Sequence, residues 1–185
     1  MGNGNKGHKV LSRKKIKIRD KDSGYEKNIT LKTIKMPNGL EEDFFIDNDK
    51  HSVQVFAITE DEEQVICVTQ FRPGAEEIML ELPGGGLEDG EDAAKAASRE
   101  LREETGYTGN PPVHLSSPEY SPYNTGIRHM YMITGCKKTE KLDLDPNEFV
   151  KVEVIPMDKF RKLMQEGKVR GYESAYMGLD KLGKL

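Results

Sequence analysis

Four glutamates and an arginine stand at fixed offsets behind a run of glycines: Gly84, Gly85 and Gly86, then Glu91, Arg99, Glu100, Glu103 and Glu104. Residues 92–105 contain no glycine or proline and include Ala93, Ala94, Ala96 and Ala97, so the stretch is predicted to be helical. Acidic Glu88, Asp89, Glu91 and Asp92 suit the positive end of such a helix, and Gly106 stops it. On that helix Glu100 lies beside both Glu103 and Glu104, because residues three and four apart share a face. Ala93, Ala97 and Leu101 form another stripe, which packs on a sheet and turns the acids into a groove. Three carboxylates so close repel one another unless a cation sits among them, and Mg2+ or Mn2+ suits their hard oxygen donors. The plain alternative for an acidic helix is a solvated face; the glycine loop and the matched arginine argue against it. The glycines are not followed by Gly-Lys-Ser/Thr and so do not form a phosphate-cradling loop. They instead let backbone approach the helix, where a carbonyl can join a metal shell.

Residues 85–107 run Gly, five residues, Glu91, seven residues, Arg99-Glu100-Leu101, one residue, Glu103-Glu104, one residue, Gly106-Tyr107. A chance match to that spacing is on the order of one in ten million per chain, so the segment carries most of the functional information. It resembles the Nudix box. The resemblance implies that Glu100 and Glu104 are the principal metal ligands and Glu103 a further ligand or a water-orienting acid. It also implies an additional ligand in the carbonyl of Gly84 or Gly85, and a structural ion pair between Glu91 and Arg99. Tyr107 occupies a slot usually filled by an aliphatic residue, a departure that bears on packing only.

Flanking strings narrow the resemblance. Gln70-Phe71-Arg72-Pro73-Gly74, Leu80-Glu81-Leu82-Pro83-Gly84-Gly85 and Pro122, fifteen residues beyond Tyr107, resemble the ADP-ribose pyrophosphatase and nucleoside diphosphate sugar hydrolase branch over residues 25–170. That branch implies hydrolysis of a sugar nucleotide diphosphate, with Mg2+ or Mn2+, to a nucleoside monophosphate and a sugar phosphate. Arg72 and Pro122 are then substrate-binding candidates, Arg72 through a planar guanidinium that binds or stacks. Their structural alternatives are an ion pair, with Glu76 a candidate partner, and a loop shaped by Pro118 and Pro122. Glu81 is either an acid serving the metal site or a structural acid beneath it. The segment Asn147-Glu148-Phe149-Val150-Lys151-Val152 resembles the acidic loop before the last core strand of this branch, which makes Glu148, beside Glu103, the catalytic candidate. Asp143, Asp145 and Glu153 compete with Glu148. Two other functions stay open: a Nudix hydrolase of nucleoside triphosphates, dinucleoside polyphosphates or RNA 5' ends, and a non-catalytic sensor of nucleotide sugars.

The elements that must position these residues follow from length and pattern. With 185 residues, 35% hydrophobic and 32% charged, the chain suits a well-solvated enzyme of one domain plus a small appendage. A net charge of −4 gives no general reason to expect nucleic acid or an anionic membrane as partner. Residues 6–19 are strongly basic and read as a solvated arm, with RNA contact as the alternative. Cys67 and Cys136 lie in apolar runs and read as reduced core thiols. No run reaches the roughly 18 apolar residues of a membrane span and no signal-peptide core opens the chain, so the cytoplasm is expected.

Ile16 and Ile18 alternate with charges, residues 28–36 and 41–47 read as strands, and Pro37-Asn38-Gly39 marks the turn between those two. Such a unit is too small to stand alone, and the resemblance implies that residues 1–48 dimerise while residues 49–185 form the hydrolase domain. Further strands are expected at residues 53–59, 64–70, 78–82, 127–136 and 149–155, with helices at 157–166 and 173–182. His51, at a strand entrance, reads as a surface or packing residue, with a ligand role as the alternative. Pattern alone gives α/β (α+β), a mixed sheet between helices, and the resemblance adds the Nudix α/β/α sandwich behind an N-terminal antiparallel unit.

Overall fold

Val53, Val55 and Ala57 of β4 (Ser52–Thr59) face one hydrophobic cluster, Phe56 and Ile58 face another, and all five are buried. A strand that alternates between two apolar layers must lie inside a sandwich. In the computed structural model, which describes residues 7–21, 26–141, 143–144 and 149–185, one layer is α1 (Ala93–Thr105). The other is α2 (Met157–Gln165) with α3 (Tyr172–Lys181). Ala96, Ala97 and Leu101 of α1 join Val53, Val55, Ala57, Ile66 and Ile133. On the opposite face Phe160, Ala175 and Leu179 pack with Phe56, Ile58, Val65, Cys67 and Met132. Burial raises the Cys67 thiol well above its ordinary range and pushes Cys136 up to about 12, so both remain protonated packing groups.

The sheet between these layers is mixed. Its strands are β5 (Gln64–Arg72), β6 (Glu77–Glu81), β7 (Tyr107–Thr108), β8 (Val113–Ser116), β9 (Arg128–Lys138), β10 (Val150–Pro156) and β11 (Val169–Arg170), together with β4. They run in the order β11-β6-β5-β4-β9-β7, with β10 added on β5 and β8 on β9. β4 is parallel to β9 and β6 to β11, and the other pairings are antiparallel. The expected α/β/α sandwich with a mixed sheet is the architecture found. α1 begins where Asp92 accepts hydrogen bonds from the N–H groups of Ala94 and Lys95, and ends at Gly106, whose φ of 72° only glycine adopts without cost.

By its internal contacts the chain divides into two units, Met1–Lys50 with Glu119–Ile127, and His51–Pro118 with Arg128–Leu185. In the first, β1 (Lys9–Arg19), β2 (Glu26–Lys35) and β3 (Glu41–Asp47) form an antiparallel sheet in that order. The basic segment expected as a solvated arm is therefore a strand from Lys9 onward, hydrogen-bonded along β2. Ile16 and Ile18 supply the β-branched periodicity, and the charges suit an exposed edge, where lysine discourages pairing with another chain.

Gly178 of α3 has no room for a side chain, because a Cβ there would fall inside the buried Phe56 ring. Ala in place of a helical Gly ordinarily stabilises by about 1 kcal/mol, and overpacking a core costs about 1–3 kcal/mol. Gly178→Ala is expected to lower unfolding free energy by about 1–2 kcal/mol in urea titration, against the helix-propensity trend. A gain in stability would contradict this packing.

Candidate active site

The glycine loop is fixed from two sides. Beyond β6, the carbonyls of Pro83 and Gly85 accept the N–H groups of Val55 and Val53 at 2.8 and 2.9 Å, and Leu87 N–H donates to His51 O at 3.0 Å. The loop thus runs along β4. A Cβ at Gly84 would overlap the Val53 carbonyl, and one at Gly85 would lie 2.5 Å from Glu100 Oε1. Gly84 is therefore required by the sheet backbone, while a side chain at Gly85 would push the Glu100 carboxylate out of its present place. Gly84 N–H donates to Glu104 Oε2 at 2.8 Å, which ties loop and helix directly.

Arg99 links the acids. Its Nε and Nη2 each meet the Glu91 carboxylate at 2.9 Å, the bidentate arrangement that a guanidinium fork favours. Nη1 donates to Glu100 Oε1 at 2.9 Å and to Glu103 Oε2 at 3.0 Å, while Nη2 also reaches Gly86 O at 3.1 Å. These hydrogen bonds from Arg99 hold the Glu91 carboxyl below its ordinary range, and the same acids hold Arg99 more firmly charged. Arg102, unforeseen from the sequence, donates to Glu103 Oε1 at 2.8 Å and reaches Glu140 at 3.4 Å. Glu100 and Glu104 are buried, which suits acids whose charges are compensated by neighbours rather than by water.

The structure thus brings Gly84, Gly85, Glu91, Arg99, Glu100, Glu103 and Glu104 together. Arg72 forms an ion pair with Glu81 rather than Glu76, its Nε and Nη2 lying 2.7 and 2.6 Å from the carboxylate oxygens. Glu76 stands in the β5–β6 turn at φ 56°, whereas the strand register puts Glu81 on the same face as Arg72. Asp143 donates its N–H to the Glu103 carbonyl at 2.9 Å, and Glu153 pairs with Lys151 at 2.6 Å. Glu148 and Asp145 lie outside the described residues. Pro122 belongs to the first unit, where it lines a concavity of about 560 Å³ with Glu119, Tyr120, Ser121 and Asn124. His51 packs its ring 5.8 Å from that of His129, whose imidazole is held below its ordinary pKa by burial and by the neighbouring histidines.

The donor set fits a hard divalent cation. Glu100, Glu103 and Glu104 offer oxygen only, and the absent Cβ of Gly85 leaves the Glu100 carboxylate against the backbone. The Gly85 carbonyl is engaged by Val53, so the Gly84 carbonyl is the better-placed backbone candidate. Among the described residues no three acids point at a common centre, because the Arg99 guanidinium stands between Glu100 and Glu103.

Residues 50–174 match the NUDIX domain model. An ADP-ribose pyrophosphatase of Bacillus subtilis (strain 168) is 33% identical over 170 residues, 91% of each chain. A methanol dehydrogenase activator of Bacillus methanolicus is 33% identical over 163 residues, covering 87% of this chain and 88% of that protein. A solved structure described as an ADP compounds hydrolase superposes with a TM-score of 0.77 over 96% of this chain and 97% of its own, at 18% identity, a likeness of fold.

Glu91 shares its Arg99 pair at 13% side-chain exposure, so its loss should register in stability. Because the folded carboxyl titrates below its ordinary range, the pair stabilises above that range and the contribution is lost as pH falls through the folded value. Glu91→Gln is expected to cost about 1–2 kcal/mol at neutral pH, with the deficit shrinking in acid, by urea unfolding across pH. A deficit independent of pH would contradict the assignment.

Proposed function

The chain belongs to the NUDIX family as a hydrolase of the ADP-sugar type, and within it we propose divalent-metal-dependent cleavage of a nucleoside diphosphate sugar, ADP-ribose or a close analogue. The products are a nucleoside monophosphate and a sugar phosphate. The retention of Glu91, Arg99, Glu100, Glu103 and Glu104 against the Gly84–Gly85 backbone is the observation that carries this assignment.

Glu100 and Glu104 are the proposed ligands of Mg2+ or Mn2+, with Glu103 and the Gly84 carbonyl completing the protein's share. A divalent ion held there supplies charge neutralisation for the diphosphate oxygens and lowers the pKa of the attacking water. Glu103 orients that water or takes its proton, and Glu148 is the alternative base. Attack on one phosphorus forms a P–O bond and breaks the bridging P–O bond, and the departing phosphate ester leaves as an anion. Arg72, fixed by Glu81, is proposed to hold the substrate's anionic oxygens, where a planar guanidinium binds two at once. Pro122 is proposed to shape the substrate loop.

We further propose a homodimer through the N-terminal strands, with residues 1–48 as the dimerisation unit and 49–185 as the hydrolase domain. Strand register gathers Ile16, Ile18, Ile29, Leu31 and Phe45 on one face of the small sheet, between Lys14 on β1 and Asp43 on β3. Phe45 is 63% exposed and Ile18 53%. Two such faces stacked about a twofold axis bury the apolar centre and set each basic edge over a partner's acidic one.

Wild-type protein with Mg2+ is expected to convert ADP-ribose to AMP and ribose 5-phosphate faster than it hydrolyses ATP, GDP-mannose or triphosphorylated RNA, as read by product chromatography. Glu104→Gln should lower kcat/KM by more than about tenfold. ATP as the much faster substrate would overturn the substrate class, and a smaller loss would overturn the role of Glu104. In sedimentation, Phe45→Glu should shift the wild-type dimer toward monomer, and an unchanged distribution would remove this interface.

A further inference from the structure

Glu81 is 6% exposed and shared by two guanidinium groups of unequal constraint. Arg72 is locked on it by two short hydrogen bonds. Arg170 Nη1 stands 3.7 Å from Glu81 Oε1, with the Arg170 side chain 51% exposed. Among the described residues that is the one ion pair Arg170 makes, and its other guanidinium donors carry no hydrogen bond.

The backbone that carries Arg170 is nevertheless firmly placed. β11 pairs parallel to β6 with Arg170 directly opposite Glu81. The next residue, Gly171, turns at φ 80° into α3, and a Cβ there would overlap the Gln54 amide. Ser174 then donates to Gln54 Oε1 at 2.6 Å. A loosely held cation on a fixed base is suited to meeting a ligand. Only Leu82 and Pro83 stand between Glu81 and Gly84, a span of at most about 10 Å, and Gly84 N–H is bonded to Glu104. One diphosphate ester can therefore reach the arginines and the acid cluster together.

We propose that Arg170 is a second anion-binding residue of the substrate site, contacting the diphosphate beside Arg72. This assignment rests on the function proposed above. Arg72, fixed in place by Glu81 through Nε and Nη2, sets the orientation and offers its remaining donors; Arg170 supplies further donors that the substrate's oxygens complete. If Arg170 merely packs against Glu81, a single long exposed contact, its removal changes little.

The test is calorimetric titration of wild type, Arg170→Ala and Arg170→Lys with ADP-ribose and, separately, inorganic pyrophosphate, at two ionic strengths in chelator-treated buffer. Arg170→Ala is expected to weaken both anions by about tenfold and to flatten the salt dependence, with Arg170→Lys intermediate and the thermal midpoint unchanged. Affinities within twofold of wild type for both ligands would overturn the proposal, as would wild type binding neither. Wild type that binds pyrophosphate but not ADP-ribose would count against the proposed substrate, while Arg170 is still judged on pyrophosphate.

Discussion

Like charge crowded on one helix face is the constraint around which this protein is built. Glu100, Glu103 and Glu104 occupy little more than one turn of α1, and their mutual repulsion is met by the Arg99 guanidinium, which also grips Glu91 and the Gly86 carbonyl. The same group therefore compensates the acids and closes the glycine loop on the helix. Arg102 extends the compensation from Glu103 to Glu140. For the proposed metal role the arrangement is economical: a divalent ion takes over charge that Arg99 balances in its place, and the Glu91 pair keeps the guanidinium nearby.

The fold serves that cluster by fixing backbone rather than by enclosing it. β4 accepts the 83–87 loop through Val55, Val53 and His51, and α1 is set on the same strand by Ala96, Ala97 and Leu101. Two glycines make the approach possible, each excluding a Cβ for a different reason. At the β6 edge of the sheet, β11 and the turn into α3 bring Arg170 to Glu81. Acids and arginines therefore belong to segments that meet only because β5 pairs with β6 and β6 with β11.

What could be read from the sequence was what depends on local spacing. Asp92 and Gly106 bound α1 as their capping chemistry requires, and Arg99 with Glu103 is an i, i+4 pair visible in the string. The strands of β4, β5 and β9 announced themselves by their apolar, β-branched runs. What depends on pairing between distant segments was not legible. Arg170 lies some ninety residues from Glu81, and the partner of Arg72 is decided by strand register, not proximity in the chain. The basic residues of β1 hid a strand because exposed edge strands carry charge at positions where a core strand would be apolar. Glu148 is a candidate through resemblance to the acidic loop of the family and not through any pattern of spacing.

The central claim is that the acids gathered by Arg99 are a divalent-cation site. Its most direct test is an electron paramagnetic resonance titration of Mn2+ into the wild-type protein and into a variant carrying both Glu100→Gln and Glu104→Gln. The account predicts that wild type suppresses the free Mn2+ signal until a stoichiometric amount has been added, and that the double variant leaves it free from the first addition. Free Mn2+ throughout with wild type, or equal suppression by the variant, would contradict it.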